Sequence, residues 1–223
     1  MNALSFSHAV HFVHDLEAVR TQLQHFGLKM ETTEKESLPG TQSVITEFGL
    51  SHIQFLSITE KEAASKSFLG KEALQFLPVK QILGHLVIET SDLDGLRTQL
   101  LKKGHDLTLI SGANEAEPLY TISGTLGGLA YPLIRKRCFS KNEAGHHALK
   151  EIHIRVDNPE IALYNWADLF NLQVIHNTLF LGDVALKFTK GSSNRLHALV
   201  FDTFSDTISQ TEFRIGEGFY RFR

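Results

Sequence analysis

Cysteine is nearly missing from this chain: Cys138 stands alone among 223 residues. A single thiol excludes an internal disulfide and supplies no second sulfur for a thiolate metal cluster. Basic excess is missing too, since 22 Lys and Arg stand against 25 Asp and Glu for a net charge of −3. That balance gives no electrostatic footprint for nucleic acid, so no nucleic-acid partner is expected. No apolar run approaches the roughly 20 residues of a spanning helix, which argues against a membrane partner. The opening Met1-Asn2-Ala3-Leu4-Ser5 lacks the charged and apolar regions of a signal peptide, so a cytoplasmic location is expected. Also lacking are a His-Glu-x-x-His helix, a phosphate-cradling glycine loop that opens a helix, and a nucleophile elbow. Gly124 to Gly128 is glycine-rich but joins predicted strands.

What the chain has is repetition. His8, Asp15, Leu16, Arg20, Thr21, Gln22, Leu23 and Gly27 return as His85, Asp92, Leu93, Arg97, Thr98, Gln99, Leu100 and Gly104, always 77 residues on. Internal repeats decide architecture before local patterns do. In the first copy, Phe6 to Val13 reads as a strand covered on both faces. Asp15 is a helix N-cap; Leu16, Val19, Leu23 and Phe26 form a helical stripe, and Gly27 supplies the stop. Extended runs follow at Lys29 to Glu34, Thr41 to Phe48 and His52 to Ile58, set apart by Pro39-Gly40 and Gly49. The unit is βαβββ.

The second copy runs through a strand at His85 to Thr90, a helix over Leu93, Leu96 and Leu100, and strands at Leu107 to Ile110, Leu119 to Ser123 and Leu129 to Arg135. Lys61 to Leu77, ending at Pro78, reads as a helical connector. A weaker third copy starts with a strand from Glu151 to Val156 and a helix with Pro159 in its first turn, then a hairpin through Gly182-Asp183. A fourth keeps only Leu196 to Phe201 and a hairpin from Glu212 to Arg223. The expected class is α+β: paired modules 4–59 and 83–138 in an N-terminal domain 1–139, and a C-terminal partial pair 148–223 whose last module is truncated, with Ser140 to His147 as the linker. The edges left by the reduced module suit strand pairing between chains, which keeps a homodimer among the readings.

Tandem βαβββ units with a ligand-type side chain early in the first strand and another in the last resemble the vicinal oxygen chelate superfamily. Within it, Pro39-Gly40-Thr41, the strand ending Glu47-Phe48-Gly49, the run Ile53-Gln54-Phe55-Leu56, and His8-Ala9-Val10 before Asp15-Leu16 resemble the glyoxalase-like domain family. The resemblance implies mixed sheets cupped around a central divalent metal, Ni, Mn, Fe or Zn, held by His8, Gln54 and His85. It puts Arg135 at the fourth position, where a guanidinium has no lone pair to offer. Arg135 instead suits an anionic group on the substrate, unless the register slips by one and Ile134 or Lys136 faces inward. Glu47 and Glu89, each near a site strand, are the candidate general acid or base. Phe12 and Phe55 would line the substrate, with Phe48 and Tyr131 further aromatic candidates.

Two functions stay open on this reading. One is a glyoxalase-like enzyme, a lyase, isomerase or dioxygenase, using the metal as a Lewis acid on a small oxygenated, anionic metabolite. The other is a metal-free protein that sequesters a small molecule, as resistance proteins of the bleomycin type in that superfamily do. A second polar stripe, Glu151, His153 and Arg155 alternating with Ile152, Ile154 and Val156, faces either a second cup, where His197 would join it, or water.

Overall fold

The computed structural model describes residues 4–26, 28, 38–48, 51–110, 118–122, 125–126, 129–137 and 147–223. Gly27, the run Lys29 to Glu34, Gly49, Gly124, Gly128, Cys138 and positions 140–146 of the linker lie outside them. The elements run β1 (Leu4–Phe12), α1 (Leu16–His25), β2 (Thr41–Phe48), β3 (Ser51–Ile58), α2 (Lys61–Ala64), α3 (Phe68–Phe76), β4 (Ile82–Thr90), α4 (Leu93–Lys102), β5 (Leu107–Leu109), β6 (Leu119–Ile122), β7 (Thr125–Leu126), β8 (Leu129–Ala130) and β9 (Leu133–Lys136). Then follow β10 (His147–Val156), α5 (Pro159–Phe170), β11 (Thr178–Leu181), β12 (Val184–Lys190), β13 (Arg195–Thr203), β14 (Glu212–Ile215) and β15 (Gly218–Phe222). Strands up to β9 build a seven-stranded mixed sheet, β2-β3-β1-β4-β9-β6-β5; the rest build a six-stranded one, β11-β12-β10-β13-β15-β14.

The helix starts follow the caps. Asp15 accepts from the Glu17 and Ala18 amides, Asp92 from Gly95, and Asn158 from Ile161 with Pro159 in the first turn. The connector, expected as one helix, is two. The Ser67 side chain caps a new N-terminus through the Gly70 amide at 3.1 Å, and the chain turns between α2 and α3. Gly40, at φ 68°, makes room for α2, because a Cβ there would stand 2.2 Å from the Glu60 carbonyl oxygen. The run Leu129 to Arg135 is likewise divided, at Pro132, which has no amide for the ladder. Between β13 and β14 the chain forms turns and no helix, so the fourth module is a bare set of strands.

The two sheets share one core. Leu16, Val19 and Leu23 of α1, Leu96 and Leu100 of α4, and Trp166 and Phe170 of α5 belong to the same buried cluster as Phe48 and Phe55 of the first sheet and Phe201, Tyr220 and Phe222 of the second. Phe48 meets Phe201 at 4.6 Å and Phe222 at 6.3 Å between ring centres. Contacts outside the core support the seam: Gln22 of α1 donates to the Arg214 carbonyl, and Gln99 of α4 to the Leu169 carbonyl. Each sheet thus turns one face inward to its partner and one face outward. Val10, Phe12, Leu56, Val87 and Leu133 lie on the outer face of the first sheet, where α3 covers them with Leu69 and Ala73 and the turn after it with Leu77. A buried leucine of this kind contributes about 1.5–3 kcal/mol.

His11 sits in the seam. Its Nδ1 pairs with the Tyr220 hydroxyl at 2.5 Å, both residues fully buried, and Gly218 is needed there because a Cβ would stand 2.8 Å from the imidazole Cε1. Burial pushes the His11 imidazole down to about 3 from 6.5. The folded protein therefore holds it neutral. Stability from this source is present above pH 6.5 and is lost as pH falls toward 3, because the unfolded chain takes up the proton first. Urea unfolding across that range should show the loss in the wild type, and a His11→Leu/Tyr220→Phe variant, with both polar groups removed together, should lack that component.

Candidate functional site

Strand register assigns the faces. On β1 and β3, paired in parallel, His8 lies opposite His52, Val10 opposite Gln54 and Phe12 opposite Leu56. On β4, Val87 lies opposite His8 and His85 opposite Val10. Paired residues share a face, so His8, His52, Gln54 and His85 all belong to the outer face with Val10 and Val87. Glu47 lies opposite His52 on β2 and joins the same row, exposed at the sheet's edge. The structure thus brings His8, Gln54 and His85 to neighbouring rungs of one face.

The contacts around them are specific. His8 is 6 % exposed; its Nδ1 bonds the Ser7 hydroxyl at 3.0 Å, and its ring stacks on His52 at 4.5 Å. His85 is 5 % exposed and packs against Phe12 on β1 and Phe68 on α3. Its Nε2 has no hydrogen-bond partner among the described residues, and Oε2 of Glu72, on α3, faces it at 3.6 Å. Gly84 allows this packing, since a Cβ there would run into the Phe12 ring at 2.4 Å.

Arg135 and Glu89 stand apart from this group. They are paired with each other on β9 and β4, four residues along β4 from His85, or roughly 13 Å at the usual strand rise. Glu89 is approached by Arg135 at 4.0 Å and Arg137 at 3.0 Å, and it accepts from the Ser5 hydroxyl at 3.2 Å. Its carboxylate holds two guanidiniums together beside a cleft of about 290 Å³ that Lys150 and Asp183 of the second sheet also line. The residue opposite Val87 is Leu133, just as Gln54 is opposite Val10. Leu133, fully buried, therefore holds the place in the second module that Gln54 holds in the first.

Phe12 is on the outer face, but sealed, with its ring 6.4 Å from Phe76 of α3. Phe55 corrects an expectation. Neighbouring residues of a strand point to opposite faces, so Phe55, next to Gln54, turns inward and packs on His11 and Tyr220 in the seam. Phe48 does the same. His52 and Glu72 escaped the sequence reading. Strand alternation back from Gln54 marks His52; nothing local marks Glu72, whose contact depends on how the connector folds over the sheet.

The donor set does not fit a metal. Two imidazoles and an amide lie on adjacent rungs, but Leu133 in the fourth place has no lone pair. The His8 ring is stacked on His52, and no three His, Cys, Asp or Glu side chains among the described residues converge on one point. What the arrangement does offer is a buried imidazole nitrogen facing a carboxylate, a pair able to take and return a proton. Among the described residues, no helix is long and apolar enough to cross a membrane.

Two mixed sheets of paired βαβββ modules, with histidines on equivalent first strands, define a protein of the vicinal oxygen chelate fold. Residues 6–125 match the model of the glyoxalase-like domain, and the chain belongs to that family. No curated protein matches the sequence. Among solved structures, a hypothetical protein from Staphylococcus aureus is similar over 99% of this chain and 98% of its own, at 16% identity and a TM-score of 0.82. A triple mutant of 4-hydroxymandelate synthase from Streptomyces coelicolor is similar over 92% of this chain and 72% of its own, at 9% identity and a TM-score of 0.62. Both likenesses concern the fold.

The ion-pair geometry gives one direct test. Glu89→Gln should remove the carboxylate charge that Arg135 and Arg137, with side chains 14% and 28% exposed, share. Urea unfolding should show a loss of about 1–3 kcal/mol, the cost of removing one partner from part-buried polar groups.

Proposed function

We propose that the chain is a glyoxalase-like enzyme that moves a proton on a small oxygenated metabolite, with the His85 imidazole and the Glu72 carboxylate as the pair that takes it up and returns it. The observation that carries this reading is the His85 Nε2, buried, without a hydrogen-bond partner among the described residues, and 3.6 Å from a carboxylate oxygen. Buried polar atoms are rarely left unpaired, and where they are, a functional role is among the standing explanations. A C–H beside a carbonyl is the natural substrate group, since one imidazole can remove and return its proton. On this reading His8 and Gln54, which share the face with His85, hold the substrate's oxygen atoms. Glu47 is exposed at the edge and Glu89 is engaged by two arginines, so the proton-transfer role passes from them to His85 and Glu72. A Lewis-acid version of the reaction, with Ni, Mn, Fe or Zn at His8, Gln54 and His85, is disfavoured by Leu133 in the fourth place.

The metal-free sequestration reading draws on the apolar half of the same face, which Leu69 and Ala73 of α3 and Leu77 of the turn after it cover.

One experiment separates the readings. Hydroxy ketones, α-keto thiol adducts and 2-hydroxy acids are incubated with the protein in deuterium oxide, with and without EDTA, and exchange at carbon is followed by proton NMR. The enzyme reading predicts catalysed exchange with at least one class, insensitive to EDTA and reduced at least 100-fold in His85→Asn and Glu72→Gln. Binding by chemical-shift change with no exchange anywhere would favour sequestration. Exchange abolished by EDTA would overturn the proton-transfer reading in favour of a metal.

A further inference from the structure

The outer face of the second sheet presents a different chemistry. Alternation on β10 places Glu151, His153 and Arg155 outward, while Ile152, Ile154 and Val156 turn into the core. Register then aligns Lys187 beside His153, and Arg195 directly opposite Arg155. A β-bulge at His197 brings that imidazole to the same side, with its ring 4.7 Å from Phe219 on β15. The Arg214 and Arg221 guanidiniums lie over the Phe219 ring, 5.3 and 5.8 Å from its centre.

The carboxylates present do not neutralise all of these cations. Glu151 is taken by His153 at 2.9 Å, Lys187 at 2.8 Å and Arg223 at 2.8 Å. Burial alone would raise its titration, but those three hydrogen-bond donors outweigh it and hold the carboxyl down to about 2. Arg221 pairs with Glu212, and Arg195 with Glu217, which Lys80 also approaches at 3.9 Å. Arg155 makes no ion pair among the described residues. It nevertheless faces another arginine across an antiparallel pair, where like charges directly opposite each other are destabilising. His197 registers the resulting field. Burial first, and then Arg155, Arg221, His153 and Arg195, push its imidazole down to about 4.

We propose that this face binds a phosphate-bearing small molecule, the dianion seated between Arg155, Arg195, His197 and Arg221 and its organic part against Phe219. Two guanidiniums side by side offer the paired N–H donors that match phosphate oxygens. A dianion relieves the Arg155–Arg195 opposition, whereas a single carboxylate leaves excess positive charge. The His197 imidazole can donate one further hydrogen bond without being protonated. This site shares no residue with the His85–Glu72 pair, so it stands or falls independently of the proton-transfer reading.

The test titrates the whole chain with inorganic phosphate and with phenyl phosphate, by calorimetry at low and at 150 mM salt. The expected result is saturable binding of both, tighter for phenyl phosphate, and weakened at least tenfold in Arg155→Ala. Arg155 is exposed and makes no ion pair among the described residues, so that variant keeps the fold, and without phosphate it should unfold at the same or a higher urea concentration than the wild type. Phe219→Leu should reduce only the preference for phenyl phosphate. Lys102→Ala, a lysine on α4 away from this face, should change nothing. Failure of the wild type to bind either anion, equal binding by Arg155→Ala, or an equal loss in Lys102→Ala would each overturn the proposal.

Discussion

The rest of this structure depends on the aromatic seam between the two sheets. Phe48 and Phe55 from one side meet Phe201, Tyr220 and Phe222 from the other, and the stripes of α1, α4 and α5 close over the same cluster. A sheet has two faces, and burial of one against a partner decides which residues of every strand remain for chemistry. The His11–Tyr220 pair is fully buried inside the seam, with Nδ1 of His11 on the Tyr220 hydroxyl and Nε2 without a hydrogen-bond partner among the described residues. Once the seam is set, both outward faces are fixed residue by residue.

Those two faces have diverged. The first is folded over by its own connector: α3 lays Leu69 and Ala73 on Val10, Phe12 and Val87, and delivers Glu72 to His85. The second has no helix after β13 to cover it and keeps a charged, open surface centred on Glu151 and the arginines around it. On the readings proposed above, the first face offers a half-covered polar pair for proton transfer, and the second an open cationic surface for an anion. One fold can carry both because alternation sets the outward positions of each strand apart from the seam.

Much of this was legible in the sequence. The 77-residue repeat announced paired βαβββ modules, and the caps Asp15, Asp92 and Asn158 set the helix starts. The resemblance to the vicinal oxygen chelate superfamily pointed to His8, Gln54 and His85, and the strand register puts them on one face. Within β3, parity alone carries the information that Phe55 points away from Gln54 and that His52 points with it. The last strand of the second module was harder. Val10 and Gln54 are 44 residues apart, Val87 and Leu133 are 46 apart, so the repeat offset fails by two exactly where the fourth ligand position falls. Glu72 carries no sequence signal, because its role arises from a long-range packing of the connector that no local pattern encodes. The cationic face was visible as the stripe Glu151, His153 and Arg155; its opposition to Arg195 required the register of β13.

The central claim is that Leu133 leaves the first face without a metal cage, so that its chemistry belongs to His85 and Glu72. Calorimetric titration of the protein, freed of any tag, with nickel(II), zinc(II), manganese(II) and, under anaerobic conditions, iron(II) tests this directly against a His8→Ala/His85→Ala variant. The account predicts no saturable one-to-one site that depends on those two histidines. A stoichiometric site present in the wild type and lost in the variant would contradict it.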